Sequence, residues 1–159
     1  MPNCPPKVAD FGLAKLVERD FIRVLTILRG TRGYLALKWI SRVAITAKSD
    51  VHSYNMMLFE FISRRRNSEQ FEDGMVKFFP SFAASVTVED GDILGLLDPA
   101  LDGNVDVEEI SKICKVACWS IQDEENIRPS MGHVVHILEG VMDVNVHPIP
   151  ISLKLFVES

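Results

Sequence analysis

Residues 49–63 read SDVHSYNMMLFEFIS. Val51, Tyr54, Leu58, Phe61 and Ile62 fall on one face at helical spacing, while Met56, Met57 and Phe59 fill the others. A helix that is apolar nearly all round is a buried one. A chain of 159 residues is long enough to surround it with a single domain's core.

Working outward, the segment Arg64-Arg65-Arg66 reads as a solvated C-terminal turn favoured by the helix dipole. Residues 64–74 are polar and turn-like, and residues 76–88 form an aromatic segment that predicts a helix beginning near Pro80. Asp106 stands as an N-cap with Glu109 three positions on. Behind it, Val107, Ile110, Ile113, Cys114, Ala117, Cys118 and Ile121 give the i, i+3, i+4, i+7 stripe of an amphipathic helix. After a polar connection, Pro129 and Ser130 open a last helix with Met131, Val134, Val135, Leu138 and Val141 inward. Beyond Asn145, Pro148 and Pro150 predict an extended, mobile tail, so residues 148–159 are set apart from a domain spanning 1–147. On the amino-terminal side, Lys7, Val8 and Ala9 suit a short strand. Residues 10–34, punctuated by Gly12, Gly30 and Gly33, read as a long loop. The fold class expected is mainly α.

Composition narrows the function. Hydrophobic residues at 47% and charged residues at 25% exclude global disorder. A net charge of −5 supplies no broad basic face, which argues against nucleic acid. Cys4, Cys114 and Cys118 are too few and odd in number for a disulfide framework, and Cys114 and Cys118 belong on a buried helix face. His52, His133, His136 and His147 lie in no metal-binding or catalytic pattern. No stretch approaches the ~20 apolar residues of a membrane span, and the first residues lack a signal peptide's basic and apolar regions. Taken alone, the chain is expected to be cytoplasmic.

The chemistry appears in an ordered set of short motifs. Asp10-Phe11-Gly12 follows the short strand. Residues 30–36 then read GTRGYLA, Trp39 follows, residues 49–54 read SDVHSY, and Arg128-Pro129-Ser130-Met131 comes near the end. Taken singly, an Asp at a strand end is more often a turn former, and Asp50 would pass for a helix cap. In this order and spacing, however, the chain resembles the back half of a protein kinase. The segments VADFGLAKL, GTRGYLA, ITAKSDVHSY and ACWSIQDEENIRPSM resemble the plant S-domain (G-type lectin) receptor-like serine/threonine kinases. The resemblance covers roughly residues 7–150.

That resemblance implies the C-terminal lobe of a kinase fold, truncated, with residues 10–34 as part of the activation segment. Asp10 would hold magnesium on the ATP phosphates, because magnesium takes hard oxygen ligands. Phe11 would pack beneath the small lobe and Gly12 would let the loop turn. Thr26 and Thr31 would lie in the activation segment, where a phosphate can pair with arginines. Asp50 would anchor the catalytic loop, and Arg128 would pair with the glutamate that ends the activation segment. That glutamate is Lys38 here, in Ala36-Leu37-Lys38, so Arg128 would face a like charge. Asn55 stands where the family commonly has glycine, His52 where it has an aromatic, and Ile27 where a second threonine is common.

The Gly-rich loop, the strand lysine with its helix glutamate, and the catalytic-loop Asp and Asn would all precede Asp10 in the family's order. Little catalysis is therefore expected from these residues alone. Three readings follow: a fragment of a receptor-like serine/threonine kinase that phosphorylates proteins; a pseudokinase-like module docking on a full-length kinase or its substrates; and a gene-model fragment without function. The resemblance places the parent family in the plasma membrane, kinase domain on the cytoplasmic side. Missing neighbours around residues 49–63 would leave apolar surface exposed.

Overall fold

In a computed structural model, residues 5, 7–9, 46–70, 76–101 and 105–157 are described. Helix α1 spans Lys48–Ser63. A two-stranded antiparallel hairpin follows, β1 (Ser68–Gln70) against β2 (Val76–Phe78), with Ser68 opposite Phe78 and Gln70 opposite Val76. Next come α2 (Phe79–Val88), two short 3-10 turns at Ile93–Leu96 and Pro99–Leu101, α3 (Val107–Ser120), α4 (Met131–Leu138) and α5 (Ile151–Val157). The described part is mainly α.

Helix α3 is the hub, packing on α1, α2 and α4. Its inner face carries Cys114, Val116, Ala117 and Cys118, all fully buried, and α2 meets it with the buried Ala83 and Ala84. Small side chains on both faces let the helices approach closely, and Phe59, Leu96, Val134 and Ile137 fill the space around them. The ends of the helices follow local chemistry. Asp106 caps α3 by accepting from the Glu108 amide at 2.9 Å, and the Ser130 hydroxyl caps α4 by accepting from the His133 amide at 3.2 Å. Helix α1 stops at Arg64, which adopts the left-handed conformation (φ 55°) and donates its N–H to the Glu60 carbonyl. The Asp98 amide then takes up the Ile62 carbonyl at 2.9 Å.

The structure departs from the sequence pattern in five places. Phe61, placed inward by its spacing, is 63% exposed, because the buried face of α1 runs through Val51, Asn55, Leu58, Phe59 and Ile62. Val135 and Val141, also expected inside, are exposed, and Ile137 takes the core position beside Val134. The polar stretch after α1 contains the hairpin. Its base is held by the buried Asn67, whose side chain donates to the Met56 carbonyl at 2.8 Å and whose carbonyl accepts from the Phe79 amide at 2.9 Å. Residues 145–150 have no regular structure, but Ile151–Val157 is a helix rather than extended chain. It packs on α2 with Leu153 buried, so its apolar contacts offset the cost of ordering it. At the other end, residues 7–9 carry no strand and Val8 is 83% exposed, since no described strand pairs with them.

Burial pushes the Cys114 thiol up to about 11. Cys118 is pushed up to about 12, by burial first and by the neighbouring Cys114 second. At pH 8 neither supplies appreciable thiolate, the reactive form. Iodoacetamide on the native protein, read by peptide mass mapping, is expected to leave Cys114 and Cys118 unmodified. Labelling of both within minutes without denaturant would refute this packing.

Candidate functional site

The polar centre of the described structure is built around Arg128, whose residue is 3% exposed. Its Nε donates to the Gln122 carbonyl at 2.6 Å, while its two terminal nitrogens donate to the Asp123 carbonyl at 3.2 Å and the Lys48 carbonyl at 3.1 Å. A guanidinium suits this task because its planar fork aims several donors at once. Lys48 answers from α1 by donating its ammonium to the Arg128 carbonyl. Thr46 adds a hydroxyl bond to Glu125 Oε2 at 3.0 Å and accepts the Lys48 amide at 3.2 Å. The turn of residues 122–128 and the start of α1, eighty positions apart, are thereby locked together. Burial lowers the Arg128 pKa, and the nearby Glu125 and Asp123 charges oppose that shift.

Asp50 lies in the first turn of α1, two residues beyond Lys48, with its side chain toward solvent. Enough protein surrounds it to push its carboxyl pKa up by desolvation. Asp50, Tyr54, Met57 and Phe61 follow one another at i, i+4, i+7 and i+11, so they share one stripe of the helix. Three of the four are exposed and Tyr54 is half-buried. Opposite this stripe the helix is core. Thus α1 carries a buried face and an open one with a carboxylate at its amino-terminal end.

Of the residues singled out in the sequence, Arg128 and Asp50 flank the same helix start. Asp10, Phe11, Gly12, Thr26, Thr31 and Lys38 lie outside the described residues. Lys48, Thr46, Gln122 and Glu125 were missed, because lysine and threonine before a helix, and polar residues in a turn, look like ordinary solvated positions. Asn55 is buried and returns its amide to the Val51 carbonyl at 2.8 Å. Among the described residues no group of His, Cys, Asp and Glu side chains could hold a metal ion. An open groove of about 650 Å³ lies between the Asp90–Leu94 region and α3, with Glu108, Lys112, Lys115 and Asp143 on its walls. Neither Asp50 nor Arg128 lines it.

Residues 3–138 match the family model for protein tyrosine and serine/threonine kinases. The chain belongs to the protein kinase family. It is similar to a G-type lectin S-receptor-like serine/threonine-protein kinase of Arabidopsis thaliana, with 64% identity over 155 residues, covering 97% of this chain and 19% of that protein. A second Arabidopsis kinase of the same description is 45% identical over 157 residues, covering 98% of this chain and 18% of the relative. A probable receptor-like protein kinase is 41% identical over 148 residues, covering 89% of this chain and 32% of the relative. The chain thus spans about a fifth of the length of its first relatives. It corresponds to part of a kinase domain, and its described helices are the scaffold of that part. Protein kinases use ATP and magnesium and act on proteins. No helix among the described residues is long and apolar enough to cross a membrane.

Proposed function

We propose that this chain supplies the activation segment and helical scaffold of a receptor-like serine/threonine kinase that transfers phosphate from ATP to protein hydroxyls. The observation that carries the reading is the Arg128 lock on the start of α1. Phosphoryl transfer depends on positioning and charge stabilisation rather than on covalent chemistry by the protein. A rigid helix start is what a catalytic segment needs to be held against. In this reading the carboxylate of Asp50, standing in the first turn, accepts from main-chain amides of that segment. The open stripe of Tyr54, Met57 and Phe61 is the apolar bed beneath it.

Asp10 is the residue of this chain that would hold magnesium, with Phe11 and Gly12 shaping the turn around it. Magnesium, when bound, neutralises charge on the nucleotide phosphates. Thr26 and Thr31 are the hydroxyls whose phosphorylation would order the activation segment, and Lys38 would lie at its end. The 159 residues contain no Gly-x-Gly-x-x-Gly loop and no His-Arg-Asp catalytic motif. Turnover therefore requires kinase elements beyond the matched residues. The relatives are receptor-like kinases, which supports anchorage in the plasma membrane with this lobe on the cytoplasmic side, and protein substrates or a full-length kinase as partners.

A chimera tests the reading: the kinase-domain residues that precede the matched region in the 64%-identical relative, joined in frame to this chain. Labelled ATP with a generic protein substrate is expected to give phosphate transfer by the chimera, abolished by Asp10→Ala. The 159 residues alone are expected to give none. A folded but inactive chimera, or turnover by the chain alone, would contradict the proposal.

A further inference from the structure

One turn holds two distant parts of the chain at once. The main-chain carbonyls of Gln122 and Asp123 accept from Arg128, which also grips the Lys48 carbonyl at the start of α1. The side chains of the same two residues hold the C-terminal segment, that of Gln122 while also donating to the Cys118 carbonyl of α3 at 2.9 Å. Gln122 Nε2 donates to the Pro148 carbonyl at 2.7 Å, and Asp123 Oδ2 accepts from the Ser152 amide at 3.1 Å. Beside them the His147 ring stacks on Trp119, with centroids 4.8 Å apart and planes 7° from parallel. Trp119 in turn donates its indole N–H to the Ile127 carbonyl at 2.7 Å, one residue before Arg128. Pro150 is fully buried and Leu153 reaches the core.

We infer that residues 145–153 are a regulatory strap: their seating on the 122–128 turn fixes the two carbonyls that orient Arg128, and through Arg128 the start of α1. The physical basis is the rigidity of the turn. The side chains and carbonyls of Gln122 and Asp123 belong to the same two residues of one short turn, so a backbone shift that releases the strap moves the acceptors of the guanidinium as well. The guanidinium is planar and cannot follow three carbonyls that move independently. Linkage makes the effect reciprocal, since whatever loosens the α1 start loosens the strap. A binding partner that draws residues 145–153 away would therefore act on Asp50 and its stripe without touching them. The coupling belongs to the fold and does not depend on the kinase reading.

Hydrogen exchange read by mass spectrometry on the whole chain tests it. His147→Ala removes the ring stack, and Asp123→Ala removes the carboxylate acceptor while keeping the Asp123 carbonyl for Arg128. Both are expected to speed exchange at the amides of Ser152, Leu153 and Lys154. The amides of Ser49, Asp50 and Val51, which are bonded to Thr46 and Ala47 carbonyls, are expected to speed up by at least roughly fivefold in step. In the reciprocal direction, Arg128→Lys is expected to speed exchange in the strap. Leu94→Ala, at a 51% exposed position outside α1, α2 and the strap, serves as the control that changes neither region. His147 is half-buried and its ring stacks on Trp119, itself half-buried, so its variant is expected to stay folded and decides the matter should Asp123→Ala unfold. Faster exchange in the strap with Ser49, Asp50 and Val51 unchanged, or no change in the strap, would overturn the inference.

Discussion

Replacing Arg128 by alanine is expected to destabilise the chain by about 3–5 kcal/mol, the scale for removing one partner from a buried charged network. The residue is 3% exposed, and its loss strands the buried carbonyl of Gln122, leaves the half-buried carbonyl of Asp123 to water, and removes the guanidinium from the Lys48 carbonyl. Each buried acceptor left without a donor costs about 1–3 kcal/mol, and partial relaxation keeps the sum below simple addition. Glu125, buried beside it, also loses a compensating positive charge. Lysine in its place keeps the charge but presents a compact ammonium at one point, so it is expected to recover no more than about half of the loss. Urea unfolding would show Arg128→Ala as a midpoint lowered by about 2 M, taking a slope near 2 kcal/mol per molar. A change below about 1 kcal/mol would mean that water replaces the guanidinium without cost, and the lock on α1 would not exist.

Phe59→Ala is expected to cost about 3–5 kcal/mol as well, through a different mechanism. The ring is fully buried in the cluster formed by α1, α2, α3 and α4, and its removal leaves a cavity that the surrounding helices only partly close. Against it stands Phe61→Ala, two positions on, where the ring is 63% exposed and the expected change in this chain is within about 0.5 kcal/mol. The pair is a sharp comparison because the two side chains are chemically identical. Calorimetry or urea unfolding of both variants would decide it, and equal losses would show that the buried face of α1 is misassigned. In the chimera described above, Phe61→Ala is expected to become costly, because the proposed catalytic segment would cover that ring.

Much of the helical order was readable in the sequence because its signals are local. Asp106 and Ser130 declare helix starts through bonds that close within three residues. The stripe through Ile110, Cys114, Ala117 and Cys118 marks a buried face at short range, and these positions are buried. Family membership was equally legible, since it rests on motifs kept in order along the chain and matched over residues 3–138.

Tertiary structure decided whatever depended on contacts between distant positions. Helical spacing placed Phe61 on the inner face and Phe59 on another, and only the neighbouring helices determine that Phe59 is the ring covered. The helix at Ile151–Val157 exists because α2 offers a surface for it, a reason absent from its own seven residues. Arg128 places its donors on three main-chain carbonyls, one of them eighty positions away, with the charges of Glu125 and Asp123 nearby. Main-chain acceptors leave no mark in a sequence, because every residue carries one. Side-chain identity therefore announced that a guanidinium was needed, and only the folded chain determined what it holds.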